Sequence, residues 1–208
     1  MGHGTLTSNG ILGREDVLGV ILAGGQSRRF GTDKAVAQLD GRRLIERVVA
    51  RARSQTGSLA VSGRDYGLGL PVIGDTRPSE GPLTGVLSAL QWADDAGFPA
   101  IATFSCDAPF FPLGLVARLA KHLPPALVCG FVSAQGIRHP VFALWRTSAL
   151  ARLQRIYAAG TRSLMAAQDR IGAVAVPFAC GPAPAGDMFF NINRQDDQAL
   201  AQAWLDAC

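Results

Sequence analysis

The stretch ILAGGQSRRFGTDKA, residues 21–35, follows an apolar run and gathers three glycines, a serine, two arginines and a lysine. Gly24 and Gly25 let the backbone approach a ligand closely, so that N–H groups meet phosphate oxygens or base edges. Ser27, Arg28, Arg29 and Lys34 add donors and positive charge. The spelling is not a Walker loop, because five residues separate Gly25 from Gly31, and it is not the G-x-G-x-x-G dinucleotide fingerprint. A second stretch, FSCDAPFF, ends an apolar run at Asp107. A carboxylate at the carboxyl end of a strand suits a magnesium ion that carries phosphate. Asp107 lies too early to cap the helix expected from Leu113. Cys106, with no base near it in sequence, reads as core rather than nucleophile.

Two further stretches complete the set. In GDTRPSEGPLTG, Asp75 ends a short strand and either faces the same crevice or forms an Asx turn. In FFNINRQDD, Asn191 and Asn193 alternate along an expected strand, Met188–Ile192, and so share a face. They either orient a second substrate or a metal-bound water, or tie down the loop GPAPAG. His139, in GIRHPVFALW, reads as a satisfied histidine at a strand edge.

The elements that hold these residues alternate. Val17–Ala23 is a short buried strand running into the glycines. Strands are expected at Leu59–Ser62, Pro71–Gly74, Ala100–Cys106, Ala126–Val132, His139–Trp145 and Gly172–Phe178, the fourth and fifth joined at the turn SAQG. Helices are expected at Leu44–Arg53, Thr84–Ala96, Leu113–His122, Ser148–Ala159, Ser163–Gln168 and Asp196–Asp206. Strands apolar on both faces, alternating with helices, predict a three-layer α/β/α, Rossmann-like arrangement around a mostly parallel sheet. Ligands then sit at the carboxyl ends of the strands. That places the loops after Ala23, Ile73, Cys106 and Ile192 around one crevice. Residues 1–16 read as a flexible tail, and 17–208 as one domain.

Composition narrows the classes. The chain has 208 residues, 48% of them hydrophobic and 17% charged, an ordinary composition for a soluble domain. No apolar run reaches the length of a membrane span, and no secretory signal opens the chain. Cys106, Cys129, Cys180 and Cys208 form no C-x-x-C pair, so zinc and a disulfide framework are not expected, and a reducing cytoplasm is. Arg28 through Arg53 holds eight basic residues, a patch for a polyphosphate or for RNA. Aromatic residues are 7% and only Phe30 falls within that patch, which counts against nucleic acid. Arg43, Arg47 and Arg51 recur at intervals of four, and equally suit a solvated helix face. Only Lys34 and Lys121 are lysines among 20 basic residues.

Taken in order, LAGGQSRRFGTDKA, GRRLIERV, VIGD, EGPLTGVLSAL, CDAPF, RHPVFAL, AGTRSLM and FFNIN resemble the motifs of the molybdenum cofactor guanylyltransferases, over roughly residues 17–205. Gly24 and the pair Asp33-Lys34 favour this branch over cytidylyl relatives. The resemblance implies a Rossmann-like nucleotidyltransferase fold, GTP and molybdopterin as substrates, and magnesium as cofactor. It also implies exchange with molybdenum-insertion proteins and molybdoenzyme chaperones. By resemblance, the backbone at Leu22, Ala23 and Gly24 holds the nucleotide, as do Lys34 and Asp75, and Asp107 binds the metal. Gly63 stands where the family often has an Asn that touches the nucleotide, and NINRQDD replaces N-I-N-T-P-x-D. The chemistry fits this pattern. A phosphomonoester nucleophile is already ionised at neutral pH, so charge neutralisation by Lys34, Arg28 and a metal on Asp107 matters more than a general base. A sugar-phosphate nucleotidyltransferase, a molybdopterin cytidylyltransferase, and a non-catalytic cofactor carrier or RNA-binding protein are the alternatives.

Overall fold

The structure, a computed structural model, describes residues 12–23, 33–74 and 81–207. Its centre is a seven-stranded sheet, built from β1 (Val17–Leu22), β4 (Ser58–Ser62), β5 (Val72–Ile73), β6 (Ala100–Ser105), β7 (Cys129–Ala134), β8 (Ile137–Arg146) and β9 (Val174–Phe178). The spatial order is β5-β4-β1-β6-β8-β7-β9. β1 pairs in parallel with β4 and β6. β8 runs antiparallel to both of its neighbours, β6 and β7. A parallel sheet must be covered on both faces, and the period of two in β1 serves both. Val17 and Ile21 point into one apolar cluster and Leu18 and Val20 into the other.

The first cluster is roofed by α1 (Leu44–Arg53) and α3 (Leu115–Lys121), and contains Phe104, Phe111, Phe142, Phe178 and Phe189. Ring centroids in this group are 5.1 to 5.5 Å apart, at tilted or edge-on angles that aromatic pairs favour. The second cluster is covered by α2 (Pro82–Asp95), α4 (Leu150–Ala158) and α5 (Leu164–Arg170), and centres on Trp145. Trp145 is fully buried, so its indole N–H needs a partner, and it donates to Thr103 Oγ1 at 3.3 Å. A third cluster seats α6 (Gln195–Asp206) on a small hairpin of β2 (Gln38–Leu39) and β3 (Arg42–Arg43), through Leu39, Phe110, Ile192 and Ala201.

Several expectations change. The hairpin β2/β3 was not foreseen, although Asp40-Gly41 is its sequence signal: both residues have positive φ, 48° and 69°, as a two-residue hairpin turn demands. The expected strand Met188–Ile192 does not form. Phe189 N–H donates to the Asp187 carboxylate and Phe190 N–H to the Asp187 carbonyl, closing a turn. Phe189 then enters the first apolar cluster and Ile192 the third. The expected tail also ends sooner than Asp16. Leu12 is buried in the first cluster, Asp16 Oδ2 accepts from Gly13 N–H at 2.8 Å, and Arg14 Nε donates to the Thr56 carbonyl. Residues 1–11 lie outside the described residues.

Candidate active site

β1, β4, β5 and β6 are mutually parallel, so their carboxyl ends share one rim of the sheet. Ala23 leaves β1 there, with its N–H held by the Ser62 carbonyl of β4 at 3.0 Å. Gly63 follows β4 with φ 125° and donates its N–H to the Ile73 carbonyl of β5. That φ favours glycine, so an Asn at this position meets backbone strain in this chain. Leu22 ends β1, half-buried.

Asp107 follows β6 by two residues and caps no helix, since α3 starts at Leu115 behind Gly114. Its Oδ1 accepts from Ser105 Oγ at 2.5 Å, and its Oδ2 lies 3.5 Å from Lys34 Nζ. Both side chains are largely enclosed, 15% and 19% exposed, so their attraction is screened less than that of a surface pair. Lys34 opens a single 3-10 turn, Lys34–Val36, whose N-cap is Asp33: the carboxylate accepts from Ala35 N–H at 3.0 Å. Lys34 Nζ also donates to Asn193 Oδ1 at 2.5 Å. Asn193 is held in turn, because its backbone N–H donates to Asp197 Oδ2 in the first turn of α6. The Ile192 N–H donates to the Asp107 carbonyl at 2.9 Å, which locks the chain before α6 against the chain after β6.

Lys34, Asp107 and Asn193 are therefore brought together from three distant parts of the sequence. Asn191 and Asn193 are both exposed and flank buried Ile192, but on a turn rather than a strand, and it is Asn193 whose amide meets Lys34. Gly24, Gly25, Ser27, Arg28, Arg29 and Asp75 lie outside the described residues. Cys106 is no nucleophile: burial, followed by the charges of Asp107 and Asp33, pushes its thiol far up. His139 lies on β8 beyond its pairing with β6, which reaches only Ala143, and pairs with Val132 of β7. Its ring lies 4.9 Å from that of Phe189, and burial holds its pKa down against the opposing pull of Asp187.

Sequence reasoning missed Tyr66, Arg64 and the role of Asp33. The Tyr66 hydroxyl lies 3.0 Å from both the Ala23 carbonyl and Asp33 Oδ2, and Arg64 Nη2 pairs with the same carboxylate. Burial, then Asp33, pushes the Tyr66 phenol up to about 12. No periodicity marks these contacts, which bridge more than 30 positions. The arginine row also resolves in an unforeseen way. Arg43 donates to the Tyr66 carbonyl, Arg47 to Leu39 and Asp40, and Arg51 to the Phe111 carbonyl. These three guanidinium groups tie loops to α1; they form neither a solvated face nor a phosphate patch.

A carboxylate and an ammonium at the ends of parallel strands suit a charged phosphate substrate, and comparison with known proteins specifies the class. Residues 19–171 match the family model described as the MobA-like NTP transferase domain. A molybdenum cofactor guanylyltransferase of Rhizobium leguminosarum is 39% identical over 94% of this chain and 96% of its own length. One from Rhodobacter capsulatus is 40% identical over 89% and 95%. Among solved structures, molybdopterin-guanine dinucleotide biosynthesis protein A of Archaeoglobus fulgidus superposes with a TM-score of 0.71 at 22% identity, covering 92% of this chain and all of the other. A CMP:2-keto-3-deoxy-manno-octonic acid synthetase superposes with a TM-score of 0.70 at 13% identity, covering 92% and 98%, which shows a shared nucleotidyltransferase fold. With the fold, the rim of parallel strands and these relatives in agreement, the chain belongs to the MobA-like NTP transferase family, within its molybdenum cofactor guanylyltransferases.

Proposed function

We infer that this protein transfers GMP from GTP to molybdopterin, forming the guanine dinucleotide of the cofactor and releasing pyrophosphate. The observation that carries the chemistry is the enclosed Lys34–Asp107 pair, which joins the turn Lys34–Val36 to the chain just after β6. The base and the acceptor are read from the guanylyltransferases that this chain resembles across nearly all of its length. In the step, a phosphomonoester oxygen of molybdopterin bonds to the α-phosphorus of GTP. The bond from that phosphorus to the bridging oxygen of the β-phosphate breaks, and pyrophosphate leaves with the electron pair. The nucleophile is already ionised, so no side chain needs to remove a proton.

What the protein must supply is alignment and positive charge. Lys34 provides a compact ammonium anchored between Asp107 and Asn193. The backbone at Leu22, Ala23, Gly24 and Gly25, with Arg28, Gly63 and Asp75, completes the nucleotide site in this reading. Asn191 and Asn193 face the second substrate. The donor set also fits magnesium: Asp107 offers a hard oxygen fixed by Ser105, and magnesium takes one or two carboxylates together with phosphate oxygens and water. Held by Asp107, the ion would supply positive charge against the phosphates. Among the described residues no helix is long and apolar enough to cross a membrane. Work in the cytoplasm, beside molybdenum-insertion proteins and molybdoenzyme chaperones, accords with the substrates.

The test is incubation with GTP, magnesium and a molybdopterin source, with mass detection of the dinucleotide and parallel pyrophosphate assays using CTP and ATP. The guanine dinucleotide is the expected product. A cytosine dinucleotide, or no dinucleotide at all, overturns the reading.

A further inference from the structure

We propose that Tyr66 is a positioning residue, whose hydroxyl holds the turn that carries Lys34 in register with the end of β1. Its position between the two is direct. The hydroxyl is 3.0 Å from the Ala23 carbonyl, where the chain leaves β1, and 3.0 Å from Asp33 Oδ2. Asp33 is the N-cap of the turn Lys34–Val36, so whatever fixes its carboxylate fixes the backbone from which Lys34 projects. A phenol has one proton to donate, and it serves either acceptor while staying within reach of both.

Tyr66 is itself immobilised. It is buried in the apolar cluster beneath α1, its carbonyl accepts from Arg43 Nη1 at 2.8 Å, and the Arg64 guanidinium lies 5.1 Å from its ring centroid. Arg64 also pairs with Asp33, so the carboxylate is held from two sides. Tyr66 touches neither Lys34 Nζ nor Asp107 in the described contacts, and acts through Asp33. Its side chain therefore controls where the ammonium sits, not how much charge the site carries.

The variant is Tyr66→Phe, which keeps the buried ring and removes only the hydroxyl. Its first readout needs no turnover. Lys34 and Lys121 are the only lysines, so limited acylation with an amine-reactive ester, read by peptide mass spectrometry, reports Lys34 with exposed Lys121 as internal reference. Loss of the hydroxyl raises the labelling rate of Lys34 relative to Lys121 by about threefold or more, since a loosened turn frees the ammonium from its enclosed site. An unchanged ratio overturns the proposal.

The second readout is kinetic and rests on the guanylyltransferase reading. Tyr66→Phe lowers kcat by about tenfold, with the KM for GTP within a factor of about three, because a misplaced group costs rate more than binding. In a Lys34→Ala background the same change costs less than about twofold, since the group it positions is gone. Full additivity of the two substitutions overturns the proposal, as does an unaltered kcat. A fall in thermal midpoint with neither the labelling nor the kinetic change marks Tyr66 as structural only. If the parent protein turns over no GTP, the functional reading fails while the labelling experiment still decides the role of Tyr66.

Discussion

Replacing Asp107 with Asn separates a metal-holding carboxylate from one that only braces Lys34. The two side chains are nearly isosteric, so Ser105 Oγ still finds an acceptor, while one negative charge disappears. At 3.5 Å and an effective dielectric of about 20, the lost Coulomb attraction to Lys34 is about 5 kcal/mol before solvation is counted. Both groups keep some contact with water, and Lys34 retains Asn193 as a partner. The net cost to stability is therefore between that of a surface pair and that of a buried one, about 1–3 kcal/mol. For a chain of 208 residues this lowers the thermal midpoint by roughly 2–10 °C, and the variant stays folded at assay temperature. Turnover behaves differently. Without the carboxylate, magnesium loses its protein ligand, and the rate falls by about a hundredfold or more at any magnesium concentration. Metal-free GTP affinity moves the other way, or holds, because the carboxylate repels the triphosphate and its removal leaves Lys34 uncompensated. Pyrophosphate release across a magnesium titration and calorimetry with GTP in chelator measure both. An Asn variant that keeps more than about a tenth of parental turnover refutes the metal role. A tenfold loss of metal-free GTP affinity refutes the placement of the carboxylate beside the phosphates.

Three other outcomes follow from the same structure. Burial lowers the His139 pKa in the folded state, so the unfolded chain binds the extra proton first, and stability falls as pH drops from about 6.5 toward that lower value. His139→Gln flattens this part of the stability profile, and a pH series of urea midpoints that is unchanged by the substitution contradicts it. Gly19→Ala places a methyl group against Leu59 and within 2.8 Å of Thr56 Oγ1, and costs about 1–3 kcal/mol of stability with kcat unaltered; a neutral thermal midpoint shows that Thr56 yields. Lys34→Arg loses about a hundredfold in kcat with GTP affinity nearly kept, while Lys34→Ala loses both. A fully active Arg variant shows that the site reads charge alone.

Much of the architecture was legible because it rests on local signals. The helix Leu44–Arg53 matches its apolar spacing residue for residue, and the strand Val17–Leu22 announces itself as a short β-branched run. Lys34 was legible as a cation of the glycine-rich loop and Asp107 as a carboxylate ending an apolar run, but their 3.5 Å approach depends on how the chain brings the two segments together. Tyr66 was not legible. An aromatic residue in SGRDYGLG carries no pattern, and its role arises only when the segment after β4 folds back over Asp33. The arginine row misled in the same way, because spacing of four places guanidinium groups on one side of a helix without saying which carbonyls wait there. Met188–Ile192 failed because the alternation of Asn191 and Asn193 suggested a strand, whereas the Asp187 carboxylate and carbonyl capture the N–H groups of Phe189 and Phe190 and close a turn.

The pairing of β1 has a consequence for the order in which the chain acquires structure during synthesis. Among the described residues β1 is the first strand to be made, yet its two neighbours are β4 and β6, and Val17 has no sheet partner on the β6 side until Ala100 has been made. Until then the run VLGVIL keeps its β6-side edge open, even after β4 has been made, and both of its faces are apolar. Strand β8, by contrast, finds β7 across a two-residue turn at Gln135 and Gly136, both with positive φ. Low sequence separation makes that hairpin the fast unit and the seating of β1 the slow one. Newly made protein therefore passes through a stage in which an unpaired, uncharged strand is exposed, the stage at which chains of this size are captured by chaperones or aggregate.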